Sequence, residues 1–430
     1  PHFNTVMGDF NIDSGKNGFS RFQRKLQGMK ATVSSDKGAF TLAAAASKGT
    51  FRSQHFMGEE GNQGPYQLTG VQGQREIIVL AGTERVYVDG RELKRGENND
   101  YTIEYGNGQI TFTRNRLITA DSRITVDFEY SDQQFKKNVY NGYGRVHLLG
   151  GRVQLRTSFV HEGDDRRNPL NIVLNDTLRD ILKKAGDRKE DAVVEGGEYV
   201  GENKGSYVRV DSLGQTIYSY KGPGKGDFLV RFSYVGANKG DYSFQGYGIY
   251  TYEGPSQGSY IPLIFLPLAE SHTTADFGTI VEPMPGVRLQ GGLSLSTIDN
   301  NVWSPQDDHD NQGVSYRGGI HLDEKNLSLN GSSLGILDLE TTFQHIGSRY
   351  RPSGRLSEVE HGRKWGMEEG RDWGEETLEL KAGWSPLKHV SFQTEYGNME
   401  RANGFQSTRT LFETSVNKEK LPRFNYRVVQ

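Results

Sequence analysis

Apolar and polar residues alternate with period two along most of this chain, the pattern of strands that present one apolar face. The plainest unit is a hairpin. Val146 and Leu148 alternate with Arg145 and His147, Gly150-Gly151 turns the chain, and Val153, Leu155, Thr157 and Phe159 alternate with Arg152, Gln154, Arg156 and Ser158. A two-residue Gly-Gly loop accepts the positive φ angles of a tight turn. Pairing about it sets Leu148 opposite Val153 and Val146 opposite Leu155. One face is then apolar, and the other carries Arg145, Arg156, His147 and Gln154.

The same design recurs. Met29/Ala31/Val33 and Phe40/Leu42/Ala44 flank a turn at 34–38. Phe228/Val230/Phe232/Tyr234 and Tyr242/Phe244/Gly246/Gly248/Tyr250/Tyr252 predict two more strands. Val287/Leu289/Gly291/Leu293/Leu295, Val314/Tyr316/Ile320/Leu322, Leu337/Leu339/Thr341/Phe343, Leu378/Leu380/Ala382/Trp384, Val390/Phe392/Thr394/Tyr396 and Thr410/Phe412/Thr414/Val416 follow. Each segment runs to roughly 8–11 residues, the reach of a tilted strand across a bilayer. Strands of soluble sheets average about 5–6. Aromatics such as Tyr250, Tyr252, Trp384 and Tyr396 stand at segment ends, where an interfacial girdle places them.

Two regions depart from this pattern. Residues 75–130 read as a compact β module, with a turn at Asp89-Gly90 and a hairpin in which 101–105 and 109–113 pair through Gly106-Asn107-Gly108. Residues 177–185 read as a short helix with Leu174, Leu178, Ile181, Leu182 and Ala185 on one face, Asp176 as cap and Gly186 as stop. The predicted architecture is all-β: a whole or partial antiparallel transmembrane-type β-barrel with an inserted small β-sandwich module and one short helix. Residues 1–74 open the barrel, 75–135 form the module, and 136–430 supply the remaining strands and long loops, with the helix near 177–185.

Composition changes the picture in one respect. Only 34% of residues are hydrophobic and mean hydropathy is −0.68, yet the chain has 21 Tyr, 21 Phe and 54 Gly. A disordered chain is poor in aromatics. A barrel with a polar interior and hydrophilic loops reconciles the figures. The longest apolar stretch, near 261–269, is far too short for a membrane helix of about 20 residues. The absence of cysteine removes thiol chemistry and disulfides, and a net charge of −3 argues against nucleic acid as a partner. A start at Pro1 without a signal segment reads as a processed or partial chain. The expected partners are outer-membrane lipid and other envelope proteins. The expected location is the outer membrane; a secreted or surface-attached adhesin or glycan binder is the alternative.

The string Val86-Tyr87-Val88-Asp89-Gly90-Arg91-Glu92-Leu93, with 100–105 and 108–113 after it, resembles segments of large outer-membrane proteins of Bacteroidetes- and Chlorobi-like bacteria. So does Gly254-Pro255-Ser256-Gln257-Gly258-Ser259-Tyr260 leading into Pro262 and Leu266-Pro267. Those proteins are similar in style to giant barrels that serve as secretion translocons. The resemblance implies a barrel, part of a longer one, since the chain ends just after another alternating stretch. It carries no catalytic motif.

Candidate chemistry is sparse. No Ser-His-Asp arrangement or catalytic carboxylate pair stands out, so no enzymatic activity and no cofactor are expected, calcium aside. Gly222-x-Gly224-x-Gly226 precedes a strand rather than a helix, which excludes a phosphate-binding fingerprint. His361 with Glu358, Glu360 and Glu368 lacks metal-ligand spacing. Residues 349–376, charged around Trp365 and Trp373, read more as a solvated loop than as an interaction surface. The polar-face Arg and His either screen ions in a lumen or pair with Asp338, Glu340, Glu379 and Glu395. Asp308-x-Asp310-x-Gln312-Gly313 partly matches the start of a calcium loop but lacks its closing glutamate. A solvated turn, with His309 as a loop residue, competes with that reading. Calcium titration with a thermal-shift readout separates the two: the turn reading expects no shift at millimolar calcium, and a shift would establish the metal.

Overall fold

The computed structural model describes residues 2–13, 22–47, 49–71, 73–131, 134–170, 172–212, 215–329, 332–356, 358–367, 374–417 and 424–429. The chain divides into two compact units: residues 1–171, 271–299 and 309–430 form one, and residues 172–270 with 300–308 form the other.

The first unit is built on a thirteen-stranded, wholly antiparallel meander. Its strands are β1 (His2–Asp13), β2 (Gln23–Ser35), β3 (Gly38–Ser47), β4 (Phe135–Leu148), β5 (Val153–Pro169), β6 (Ser271–Met284), β7 (Val287–Asp299), β8 (Gln312–Leu329), β9 (Ser332–Ile346), β10 (Glu375–Leu387), β11 (Val390–Arg401), β12 (Gln406–Val416) and β13 (Phe424–Val429). Neighbours in the chain are neighbours in the sheet. Among the described residues, β1 and β13 have no second partner, so the described pairing is an open sheet. The predicted hairpin register holds: Leu148 pairs with Val153 and Val146 with Leu155. The loop between them, however, has four residues, with Leu149, Gly150 and Gly151 all at positive φ.

Most connections at one end of the meander are short, 36–37, 149–152, 285–286 and 388–389, with 417–423 the longer exception. From the other end the chain makes its long excursions at 48–134, 170–270, 300–311 and 347–374, with 402–405 the short exception. Outer-membrane barrels have this asymmetry, with short periplasmic turns and long outer loops.

The excursion between β3 and β4 is the expected β module, but it begins at Thr50 rather than near 75. Strand Thr50–Met57 pairs along its length with Arg123–Ser131, which also pairs with Arg85–Val88 and Ile78–Val79. That long-range partner takes 50–57 out of the opening span 1–74 to which the sequence assigned it. Tyr101–Glu104 pairs with Gln109–Phe112 as expected. Leu68, Val86, Val88, Ile110, Val126 and Phe128 are wholly buried in the module core.

The second unit corrects a larger expectation. Residues 228–234 and 242–252 are not strands of the meander; they belong to two small sheets of this separate unit. Helix α1 (Asp176–Lys184) stands where predicted, and Leu174, Leu178, Ile181, Leu182 and Ala185 share its core with Ala192 and Leu266. Its cap is Asn175, whose side chain accepts the Leu178 N–H at 2.9 Å, rather than Asp176.

The two small sheets are copies of one design. In order of their own strands, each pairs as first–fourth–second–third: Gly197–Tyr199, Phe228–Val230, Tyr207–Ser212, Gln215–Tyr220, and likewise Ser233–Tyr234, Tyr260–Ile261, Tyr242–Gly246, Ile249–Tyr252. The sequence underneath is a fourfold motif, Tyr-x-Gly-x-x-Lys/Gln-Gly-Ser/Asp-Tyr/Phe, starting at Tyr199, Tyr220, Tyr234 and Tyr252. Its first glycines take φ between 104° and 114°. Its second glycines, Gly205, Gly226, Gly240 and Gly258, would each put a Cβ 2.3–2.4 Å from the backbone of a neighbouring strand. Reciprocal bonds join the copies: Tyr250 N–H donates to Tyr207 Oη at 3.0 Å, and Tyr218 N–H donates to Tyr242 Oη at 2.8 Å. The strands are short because these turns recur so closely, which disqualifies them from crossing a bilayer.

Gly226→Ala should therefore destabilise the second unit by about 1–3 kcal/mol, read by chemical unfolding or limited proteolysis. Gly106→Ala, whose new Cβ has 3.6 Å of room at ordinary φ, should leave stability unchanged.

Candidate functional site

Strand pairing lines the side chains of the meander into rows, and the rows sort by polarity. One row runs Phe3, Val33, Phe40, Gly144, Thr157, Phe277, Leu293, Tyr316 across β1 to β8. Another runs Leu289, Ile320, Thr341, Leu380, Tyr396 across β7 to β11. These large side chains are exposed: Phe3 at 71%, Phe277 at 51%, Ile320 at 56%, Leu380 at 41%. The opposite face is the buried one. Ser158, Asp276, Ser294 and Ser315 form a cross-strand row, and none is more than 9% exposed. Over β5 to β8 the sheet buries polar side chains and shows apolar ones; on β1 to β5 the same inner face also buries an apolar cluster of Phe10, Ile12, Leu26, Ala43, Val139 and Val160.

What covers the polar side is the excursion between β9 and β10. Ser294 Oγ donates to Asp276 Oδ1 at 2.5 Å and lies 2.7 Å from Tyr350 Oη, and Ser158 Oγ donates to Asp276 Oδ2 at 3.1 Å. Arg351 N–H donates to Ser296 Oγ at 2.9 Å, the Thr274 and Ser353 hydroxyls are 2.8 Å apart, and His272 Nε2 is 2.9 Å from the Arg351 carbonyl. The backbone at Arg349 and Tyr350 lies so close to Gly313 that a Cβ there would sit 2.4 Å away. Further along, α2 (His361–Trp365) lies on β10 to β12. Trp365 is fully buried over Gly397, Ser407 Oγ donates to its carbonyl, and Lys364 pairs with Glu379 at 2.5 Å. His361 Nε2 is 2.9 Å from Glu375 Oε1, which explains this histidine without a metal.

The reading of 349–376 as a solvated loop is therefore corrected over its described part; Glu368 and Trp373 lie outside the described residues. A polar sheet face needs partners for its hydroxyls and carboxylates, and this strap supplies them. The polar-face charges also follow the pairing alternative in part. Glu340 meets Lys381 and His321 at 3.4 and 3.8 Å, and Glu395 meets Arg409 at 2.8 Å. Arg156 donates to Gln154 at 2.6 Å, and His147 is 3.4 Å from Gln154.

Strap, meander and module converge on Arg24. Its guanidinium lies 3.7 Å from both Glu129 of the module and Glu162 of β5, donates to the Ser353 carbonyl at 2.9 Å, and stacks on Phe22 and Phe51. Arg355 reaches Asp127 at 3.6 Å and covers Tyr87, and Arg123 pairs with Glu360 at 2.9 Å. The module is thus fastened to the strap by three basic residues. Burial pushes the Glu129 carboxyl up to about 7; Arg24 opposes the rise and Glu162 adds to it. Of these groups only Glu360 was weighed from the sequence, as a metal ligand beside His361, and none as part of this cluster. The signal present was a lone arginine between Phe22 and Leu26 at the start of β2.

Asp308, His309 and Asp310 form one 3₁₀ turn, and Gln312 opens β8; the division between the two units falls at 308/309. Among the described residues, no three His, Asp or Glu side chains are grouped to hold a metal ion.

Residues 51–132 match the family described as Domain of unknown function (DUF8818), which coincides with the module. No curated protein matches the chain. Among solved structures, the copper transporter OprC is similar at a TM-score of 0.23 and 9% identity, over 100% of this chain. The chain spans 60% of that structure's length, and a score so low carries no argument.

A carboxyl raised in the folded state makes folding take up a proton between its unfolded value of 4.5 and its folded value of about 7. The module–meander junction should strengthen as pH falls through that window and be weakest above 7. Protease clipping between module and β4, measured from pH 5 to 8, should rise with pH in the wild type and stay flat in Glu129→Gln.

Proposed function

We propose that this chain is an outer-membrane β-protein whose meander forms the wall of a transmembrane barrel and whose strap and module plug its interior. The observation that carries the reading is the outward face: large apolar side chains stand exposed in cross-strand rows, while over β5 to β8 serines, a threonine and a carboxylate are buried on the other side. In water such a surface would collapse or aggregate. In lipid it is the expected arrangement. Strands of 10–18 residues for β1 to β12 and the short-turn/long-loop asymmetry support the same reading. Lipid excludes open sheet edges, so the proposal requires β1 and β13 to be paired in the membrane.

A plugged barrel is suited to gated passage of a substrate rather than to free diffusion. The strap and module would have to shift together, because Arg24, Arg355 and Arg123 tie them to each other. Outer-membrane lipid is the direct partner, other envelope proteins are the expected associates, and no catalytic role is proposed. A second reading, adhesion, draws on the second unit. Its equivalent tyrosines Tyr199 and Tyr234 are 62% and 64% exposed, and Tyr247 at a hairpin tip is fully so. Exposed aromatics suit stacking on a ligand.

The membrane reading expects detergent to be required for extraction and a gel mobility that changes on boiling. Freely water-soluble protein without heat-modifiable mobility would leave the adhesion reading. Leu380→Arg on the outward face should cost about 2–4 kcal/mol in a bilayer if that position lies near the midplane.

A further inference from the structure

The outward face of the meander is not uniform. Across β2 to β7 it carries a hollow of about 980 Å³, and a second of about 560 Å³ shares Phe40 and Thr157 with it. Pairing explains the hollow. Gly144 stands between Phe40 and Thr157 in its row, and Gly291 faces Thr279. The Phe40 ring and Thr157 already cover Gly144, where a Cβ would sit 2.9 and 3.2 Å from them; the room lies over Gly291, whose Cβ would meet only Thr279 at 3.4 Å, with Leu155, Phe277 and Leu293 as walls. The larger hollow lies within the size range of ligand sites, roughly 300–1,000 Å³. It is not lined by apolar groups alone. It reaches the Ser34–Gly38 turn, where Ser35 and the exposed Lys37 line its mouth.

We infer that this hollow holds one anionic glycerophospholipid, its acyl chains along Phe40, Gly144, Phe277 and Leu293 and its phosphate beside Lys37 and the Ser35 hydroxyl. The inference rests on the membrane reading above. The leaflet follows from topology: 36–37 is one of the short turns, and short turns face the periplasm in outer-membrane barrels, so the headgroup lies in the inner leaflet. Lipid is favoured over a second copy of the chain because the site pairs an apolar body with a single cation, Lys37, at its end, the division of a phospholipid itself. A lysine near an anionic headgroup favours it by an amount equivalent to about fivefold in affinity.

The test uses the full chain purified in mild detergent, with native mass spectrometry after adding phosphatidylglycerol or, separately, phosphatidylcholine. Wild type should retain one phosphatidylglycerol per chain. Lys37→Gln should lower the preference for phosphatidylglycerol over phosphatidylcholine about fivefold. Thr157→Phe should fill both hollows and abolish retention, while Thr394→Phe, outward-facing but distant, should retain it. Heat-modifiable wild type that holds neither lipid would overturn the inference and leave the membrane reading standing. So would a dimer that Thr157→Phe dissociates. Protein that is water-soluble without heat-modifiable mobility would overturn both.

Discussion

A β-strand offers two faces, and everything in the first unit follows from which one is withdrawn from solvent. Here it is the face that carries the buried serines, with an apolar cluster around Phe10 and Val160 beside them. Ser294 and Ser315 are completely buried while Phe277 and Ile320 stand out from the opposite face. Because the side-chain period is two, a one-residue slip anywhere in the meander would turn a strand's apolar set onto the polar side. The register is therefore held by both surfaces together, and the hairpins between short turns propagate it from strand to strand.

Burying hydroxyls and carboxylates is costly unless each finds a partner. That requirement gives the strap its position. Tyr350, Arg351 and Ser353 answer Ser294, Ser296 and Thr274, and α2 answers Glu375 and Glu379. The strap leaves charge of its own to be met, and the module meets it through Asp127 and Arg123, while Glu129 meets Arg24 of the meander. A buried ion pair adds little net stability, but removing one partner leaves an uncompensated charge. A junction built this way has a defined closed arrangement and a clear energetic penalty for partial opening, which are the properties a gate needs.

Much of this was legible in the residues. Alternation located most of the meander, and the Leu148–Val153 register followed from two glycines. The apolar face of α1 was read residue for residue. What stayed hidden was non-local. Strand Thr50–Met57 fell within the opening span 1–74 until its pairing with Arg123–Ser131 placed it in the module. The Tyr-x-Gly-x-x-Lys/Gln-Gly motif of the second unit alternates as barrel strands do, and only its recurrence at 199, 220, 234 and 252 marks it as a duplicated sheet. The strap has no period at all. Its charges resemble those of a solvated loop, and the buried serines that hold it lie far from it in sequence. Arg24 was in view, but its two carboxylates come from residues more than a hundred positions away.

The chain contains no cysteine, so single cysteines can report on each face without a background. Leu293 and Ser294 are adjacent in β7 and point to opposite sides. With a fluorophore at each in turn, in vesicles, lipid-attached quenchers should extinguish the label at Leu293→Cys and leave Ser294→Cys bright. Equal quenching of both by a water-soluble quencher, with none from lipid, would contradict the inversion on which this account rests.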